Sequence, residues 1–179
     1  MKTILLLIPA LLLAISPLAA QQKRTSPRET ITKQIQGATI TVVYSRPCTK
    51  DPKSGETRKI WGGLVPFGKV WRTGADEATT LTTDKDLEIG GTAIPAGTYS
   101  LFTLPEENGA KLIINKQTGQ WGTRYDESQD LARVDLKKDT PAQPAEQFTI
   151  TVEQNEGRGG ELNLMWENVS YGTIFSVKK

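Results

Sequence analysis

The stretch "TYSLFTLPEENGAKLIIN", residues 98–115, decides the fold class because it carries two strand patterns separated by a turn. Both runs are short and rich in β-branched, aromatic and other apolar residues, as β-strands require. The dipeptide Asn108-Gly109 lies between them and favours a type I′ turn, which joins antiparallel strands. We therefore predict that residues 98–104 and 111–115 pair as a hairpin.

Similar strand and turn signals recur along the rest of the chain. The sequence predicts strands over residues 39–45, 78–83, 86–89, 98–104, 111–115, 132–137, 148–154, 161–167 and 173–177. In the strand "ELNLMWEN", Leu162, Leu164 and Trp166 share one face, so we assign Trp166 to the core. No segment of ten or more residues shows a helical stripe. The prediction is an all-β domain: an antiparallel β-sandwich of about nine strands, with a jelly roll or a partly closed barrel as variants.

The first residues predict an exported protein. An apolar run over residues 4–15 follows Lys2, and small residues end the segment at Ala20, as in a secretory signal peptide. This run is shorter than the roughly 20 apolar residues of a membrane-spanning helix, so we expect cleavage after Ala20 or a neighbouring residue and no transmembrane anchor. The expected location is the periplasm or the extracellular space. Residues 21–36 are polar and predict a tether, and residues 37–179 form a single β domain.

Composition excludes several kinds of chemistry. The chain of 179 residues contains no histidine and one cysteine, Cys48. Without histidine there is no Ser/His/Asp or Cys/His triad and no ordinary zinc site. No D-x-D-x-D-G loop indicates calcium, so we predict no metal and no cofactor. The net charge of +2 comes from interspersed acids and bases, which gives no reason to expect nucleic acid as a partner.

Several strings occur together in a familiar order. They are "YSRP" at residues 44–47, "IWGGLVPFGKVWRTGADEATTL" at 60–81, "IPAGTYSLFTLP" at 94–105, "NKQTGQWG" at 115–122 and "WEN" at 166–168. In this order and spacing the chain resembles the bacterial domain-of-unknown-function family 2911, over about residues 40–177. The resemblance implies an exported bacterial protein with one β-rich domain and no established activity.

The chain departs from the usual pattern of that family in one loop and one site position. The loop "CTKDPKSGET", residues 48–57, is longer than is typical, and Cys48 stands where a small residue such as serine is more usual. Asp76 stands where asparagine is as common. We interpret Cys48 as incidental because no histidine activates it, and the bases around Arg58 as part of a solvated loop.

The best site candidate is "VWRTGADEATTL", residues 70–81. An extended strand would place Asp76 and Glu77 on opposite faces, so they are poor partners for two-carboxylate hydrolysis. Two interpretations stay open. In the first, Arg72 pairs with Asp76 or Glu77 across a bend at Gly74 and holds the loop in shape.

In the second interpretation, Arg72 binds an anionic or carbonyl group of a ligand. Glu77 or Asp76 then accepts hydrogen bonds from hydroxyl groups, and Trp71 or Trp61 supplies a flat apolar wall.

A second loop and a further arginine complete the candidate set. Trp121 lies between two glycines, where it either covers the core or faces a ligand, and Arg124 follows with hydrogen-bonding groups. Arg46 precedes a proline and is held extended, so we expect it to project toward the Arg72 loop. If the two arginines converge, the ligand is acidic. If Arg46 instead pairs with Glu167 or Asp76, the cluster is structural.

Three functional classes fit these residues. The first is a binding module for a small polar ligand, a saccharide or a carboxylate-bearing molecule. Its ligand-binding residues would be Arg46, Trp71, Arg72, Asp76, Glu77, Trp121 and Arg124. The second is an envelope protein whose charged cluster only maintains the fold. The third is a glycoside hydrolase with two carboxylates about 5 to 9.5 Å apart. It ranks last, and no catalytic residue is assigned, because no pair of acids has a reason to lie at that separation.

Overall fold

A computed structural model describes residues 24–157 and 159–178 of the chain. The predicted signal peptide at residues 1–20 lies outside the described residues. Strands form β1 (Arg28–Ile35), β2 (Ala38–Ser45), β3 (Thr79–Thr83), β4 (Leu87–Ile89), β5 (Thr92–Ile94), β6 (Gly97–Pro105), β7 (Ala110–Asn115), β8 (Asp130–Asp139), β9 (Ala145–Asn155), β10 (Gly159–Glu167) and β11 (Val169–Val177). One short 3-10 helix covers Glu127–Gln129. Within the described ranges, no helix combines the length and hydrophobicity needed to span a bilayer.

The strands form one antiparallel sheet. Its order is β1-β2-β3-β6-β7-β8-β11-β10-β9, and the short β4 and β5 lie off this path, with β4 beside β11. The sheet curves until its first and last strands approach, which gives a nearly closed, barrel-like form. The all-β prediction is confirmed, and of the predicted variants the partly closed barrel describes this sheet.

The sheet closes along a line that we call the seam, where residues 44–49 meet residues 146–150. The backbone contributes one part, since Phe148 N donates to Pro47 O at 2.9 Å. Side chains contribute the other: Ile150 N donates to Tyr44 Oη at 3.0 Å, and Arg46 Nε donates to Phe148 O at 3.1 Å. The seam therefore satisfies backbone groups of β9 that have no neighbouring strand there.

Aromatic side chains fill the barrel next to the seam and form what we call the aromatic cluster. Trp166 stacks on Trp71 with ring centroids 5.9 Å apart, and Phe148 lies 5.8 Å from Trp166. Trp61 meets Trp71 edge-on at 5.8 Å and Tyr171 at 5.1 Å. Only 1% of Trp166 is exposed, so its predicted place in the core is confirmed. Burial of several large aromatic groups makes this cluster a main source of stability.

The hairpin that decides the fold class is confirmed. Strands β6 and β7 pair antiparallel, with Leu101 opposite Ile114. The turn differs in type, because Asn108 and Gly109 both lack the positive φ that a type I′ turn needs.

The polar range predicted as a tether contains strand β1, so that prediction is wrong for Arg28–Ile35. The strand pairs with β2 through Gln36 and Gly37, whose φ values of 49° and 79° suit a type I′ turn. Most of its side chains are exposed, so it lacks the apolar alternation by which a strand is recognised. The three-residue β5 was also missed.

Candidate functional site

The site candidate begins where the chain leaves the sheet beside β6. Trp71 and Thr103 exchange backbone hydrogen bonds of 2.8 Å, and Thr79 pairs with Leu101 on the same edge. Leu101 and Thr103 are two residues apart, whereas Trp71 and Thr79 are eight apart. Residues 72–78 therefore project out of the sheet, and we call them the excursion loop.

Local hydrogen bonds hold the excursion loop in an unusual backbone conformation. Thr73 and Asp76 have φ values of 53° and 59°, a left-handed region that costs free energy for residues other than glycine. Thr73 is fully buried, with its Oγ1 2.7 Å from Thr103 Oγ1 and its carbonyl 2.6 Å from Thr79 Oγ1. The strand alternation expected across Asp76 and Glu77 is wrong, because regular extended structure begins only at Thr79.

The second predicted loop packs against the excursion loop. Gly122 N donates to Asp76 O at 2.9 Å, and Trp121 forms a bridge with Glu77. Arg72 lies directly against Gly122, where an added Cβ would come within 2.4 Å of Arg72 Cδ. The two candidate segments are therefore neighbours. Trp121 is 47% exposed, so it covers little of the core.

Glu77 is paired, but not with Arg72. Arg24 binds it with two hydrogen bonds of 2.6 and 2.8 Å, and Arg28 lies 3.5 Å away. The hydrogen bonds from Arg24, followed by the charges of both arginines, lower the pKa of Glu77 to about 2 against the desolvation that opposes them. The expected pairing of Arg72 with an acid is therefore wrong: no ion pair joins Arg72 to Asp76 or Glu77 in the described chain.

Arg46 and Arg124 also lie outside the expected cluster. Arg46 pairs with Glu29 at 2.8 Å and donates to Thr149 Oγ1 at 2.8 Å, in the seam. Its expected convergence with Arg72 on one ligand is not observed, and its pairing with Glu167 or Asp76 is not observed either. Arg124 is exposed.

Glu77→Gln should lower the free energy of unfolding at neutral pH by about 1 kcal/mol, the upper end for an ion pair whose arginine is exposed. The carboxyl pKa of Glu77 is lowered from 4.5 to about 2 in the folded protein. The ion pair therefore makes its full contribution to the free energy of unfolding above pH 4.5, and this contribution is lost as the pH falls toward 2. Urea denaturation of both proteins across this range checks the result. A difference that stayed constant down to pH 2 would contradict it, and Glu153→Gln, at an exposed position on β9, is the control.

A cavity of about 240 Å³ opens beside the excursion loop, and we call it the arginine cavity. Its walls include Trp71 and Arg72 from the predicted site, Leu64, and the buried Trp166. Cys48 and Arg58 come from the long loop that follows β2. None of the described residues that line it is acidic, although two are arginines. The cavity is therefore positively charged with apolar walls.

Hydrogen-bond donors at this cavity lack partners. Arg72 Nε is buried without an acceptor, and so is Trp166 Nε1. Arg58 donates to the carbonyl oxygens of Cys48 and Thr49, which fixes its guanidinium beside the cavity. Buried donors left unpaired cost free energy, so both residues carry an unmet hydrogen-bonding group next to the cavity that they line.

Some of the residues predicted from the sequence line the arginine cavity. Of the predicted residues, Trp71 and Arg72 line the cavity, whereas Asp76, Glu77 and Trp121 do not. Cys48, Arg58 and Trp166 also line the cavity, although no sequence pattern assigned them to a site. The half-buried Arg58 is not the solvated side chain we expected. Trp166 was rightly assigned to the core, and no sequence signal shows that its indole N–H lacks a partner.

No group of three or more His, Cys, Asp or Glu side chains that could hold a metal ion occurs among the residues that the structure describes.

Comparison with known proteins gives a family and no activity. The sequence model of one protein family, described as "Protein of unknown function (DUF2911)", matches residues 26–174. Searches of curated proteins and of solved structures gave no match. The matched range includes the excursion loop and the described lining of the arginine cavity except Thr25.

Proposed function

The chain belongs to the DUF2911 family, described as proteins of unknown function, and from that premise we propose that the protein is a binding module for a small carboxylate-bearing ligand. The ligand would occupy the arginine cavity. The observation that carries the proposal is the state of Arg72, which is half-buried, has a buried Nε without an acceptor, and pairs with no acid of the described chain.

The chemistry of Arg72 and its neighbours suits a carboxylate. A guanidinium presents parallel N–H donors that match the two oxygens of a carboxylate, and Arg58 adds a second fixed positive charge. Leu64, Trp71 and Trp166 supply apolar contacts for the remainder of the ligand. The volume of 240 Å³ lies below the roughly 300 to 1,000 Å³ of cavities for drug-sized molecules, which favours a small ligand.

The alternatives have less support. A purely structural role predicts that Arg72 pairs with an acid, and no acid among the described residues forms an ion pair with it. A saccharide would need acids or amides in the cavity to accept its hydroxyl hydrogens, and Asp76 and Glu77 do not line it. Hydrolysis at the excursion loop needs an acid there that can donate a proton, whereas Glu77 stays ionised down to about pH 2 because Arg24 binds it.

Arg72→Gln tests the proposal. We expect wild-type protein to bind at least one of acetate, lactate, succinate and benzoate, with a change in the fluorescence of Trp71 and Trp166. Glutamine at residue 72 should weaken that binding about 30-fold or more, because a charge-assisted pair is lost. The free energy of unfolding should change by less than about 1 kcal/mol, because the substitution breaks no ion pair.

Arg124→Gln is the matched control, since Arg124 is exposed and does not line the cavity. It should leave both affinity and stability unchanged. Absence of binding by all four carboxylates to wild-type protein would refute the proposal. So would a loss of several kcal/mol of stability in Arg72→Gln with unchanged affinity, which would assign Arg72 a structural role.

A further inference from the structure

A second cavity, of about 460 Å³, lies next to the arginine cavity, and we call it the glutamate cavity. The two share Cys48 as a lining residue. Two consecutive residues also line them, since Trp166 lines the arginine cavity and Glu167 lines the glutamate cavity. A molecule long enough to reach from one cavity to the other past Cys48 would contact both.

The backbone at Glu167 is irregular. The register between β9 and β10 shifts between Met165 and Glu167, and Glu167 has a φ of 51°. A register shift of this kind re-aims the side chains of a strand, and left-handed backbone at a residue other than glycine costs free energy that the surrounding structure must offset. This irregularity lies where the strand passes from Trp166, which lines the arginine cavity, to Glu167, which lines the glutamate cavity.

Glu167 is a half-buried acid without a basic partner. No lysine or arginine of the described chain forms an ion pair with it. Burial raises the pKa of its carboxyl group, because removal from water disfavours the charged form. A cation in the glutamate cavity would stabilise the charged form.

The other walls of the glutamate cavity are suited to a cation with several hydrogen-bond donors. Glu146 adds a second acid and Lys50 one base, so the lining carries one net negative charge when Glu167 is ionised. Thr49 Oγ1 is buried and has no hydrogen-bond partner. An ammonium group has three donors, and the carboxylate of Glu167 can accept from it in this cavity.

The two cavities thus hold unpaired charges of opposite sign on either side of Cys48. We infer that the ligand is a zwitterion, an amino acid or short peptide with free termini, whose carboxylate binds at Arg72 and whose ammonium group binds at Glu167. This inference rests on the proposed function for its carboxylate end and adds a second recognition site at Glu167.

The dipeptide leucyl-leucine, its N-acetyl derivative and its C-terminal amide test the inference by calorimetric titration. We expect wild-type protein to bind the free dipeptide and to bind each derivative at least tenfold more weakly. In Glu167→Gln the penalty for N-acetylation should fall below threefold, while the penalty for amidation stays. Glu153→Gln, at an exposed acid on the neighbouring strand β9, should keep both penalties.

The outcomes separate the inference from the proposed function. If the N-acetyl derivative binds wild-type protein as tightly as the free dipeptide, or if simple carboxylates bind and the dipeptide does not, the inference fails and the proposed function stands. If Glu167→Gln keeps the whole N-acetyl penalty, Glu167 does not bind the amine. If neither carboxylates nor the dipeptide bind, the proposed function fails first. The three titrations of wild-type protein test the inference even if Glu167→Gln does not fold.

Discussion

Replacing Trp166 with alanine is expected to lower the free energy of unfolding by about 3 to 5 kcal/mol, the range for a large aromatic residue removed from a core. Trp166 is 1% exposed and packs on both Trp71 and Phe148, with centroids within 5.9 Å. The alanine would leave a void inside the barrel that neighbouring aromatic rings cannot fill without leaving their own contacts. Urea denaturation followed by far-UV circular dichroism measures the loss.

Two further variants make this result specific. Trp121→Ala removes a tryptophan that is 47% exposed, and should cost less than about 1 kcal/mol. Equal losses at Trp121 and Trp166 would contradict the assignment of Trp166 to the core. Trp166→Phe keeps most of the ring volume and removes the unpartnered Nε1, so it should cost much less stability than alanine. If Nε1 donates to the carboxylate, this variant also weakens ligand binding.

Gly122→Ala is expected to weaken carboxylate binding at least tenfold and to cost about 1 to 3 kcal/mol of stability, the usual cost of overpacking. A methyl group at this position would lie 2.4 Å from Arg72 Cδ and 2.8 Å from Asp76 O. Arg72 must then move, and with it the guanidinium that we assign to the ligand. Calorimetric titration and urea denaturation of the same preparation measure both effects.

The matched control for this substitution is Gly109→Ala, in the turn between β6 and β7. Neither glycine has a positive φ, so the comparison isolates steric contact from backbone strain. The nearest atom to an added Cβ at Gly109 is Leu136 O at 3.6 Å, an ordinary contact. The control should change stability by less than about 0.5 kcal/mol. Unchanged affinity in Gly122→Ala would show that the position of Arg72 does not govern binding.

Local patterns predicted much of the fold because the relevant information is local. The hairpin of β6 and β7 follows from two apolar runs and a turn, and Trp166 follows from alternation with Leu162 and Leu164. Closure of the sheet depends on contacts such as that between Arg46 and Phe148, which are 102 residues apart. The alternation of apolar and polar residues within a strand gives no information about a contact between residues so far apart in the sequence.

The sequence singled out the segment around Arg72, but it did not show how the charges of that segment are paired. The segment around Arg72 does lie at a cavity, as its unusual composition suggested. Its acid Glu77 is neutralised by Arg24, which lies 53 residues away in the polar range that the sequence predicts as a tether. Arg58 and Glu167 reach the two cavities from segments that we had assigned to a solvated loop and to the end of a strand. The fold therefore decides which charged side chains become neighbours, and the order of residues in the sequence does not show these pairs.

The seam has a consequence for the synthesis of the chain. Tyr44 and Arg46 leave the ribosome about 100 residues before their partners Phe148 and Ile150. Until then, the side chains that form hydrogen bonds with the backbone of β9 remain exposed to water. The apolar face of the hairpin of β1 and β2 has no facing strands to pack against. Vectorial synthesis alone cannot close this barrel, because its first and last segments must both be present.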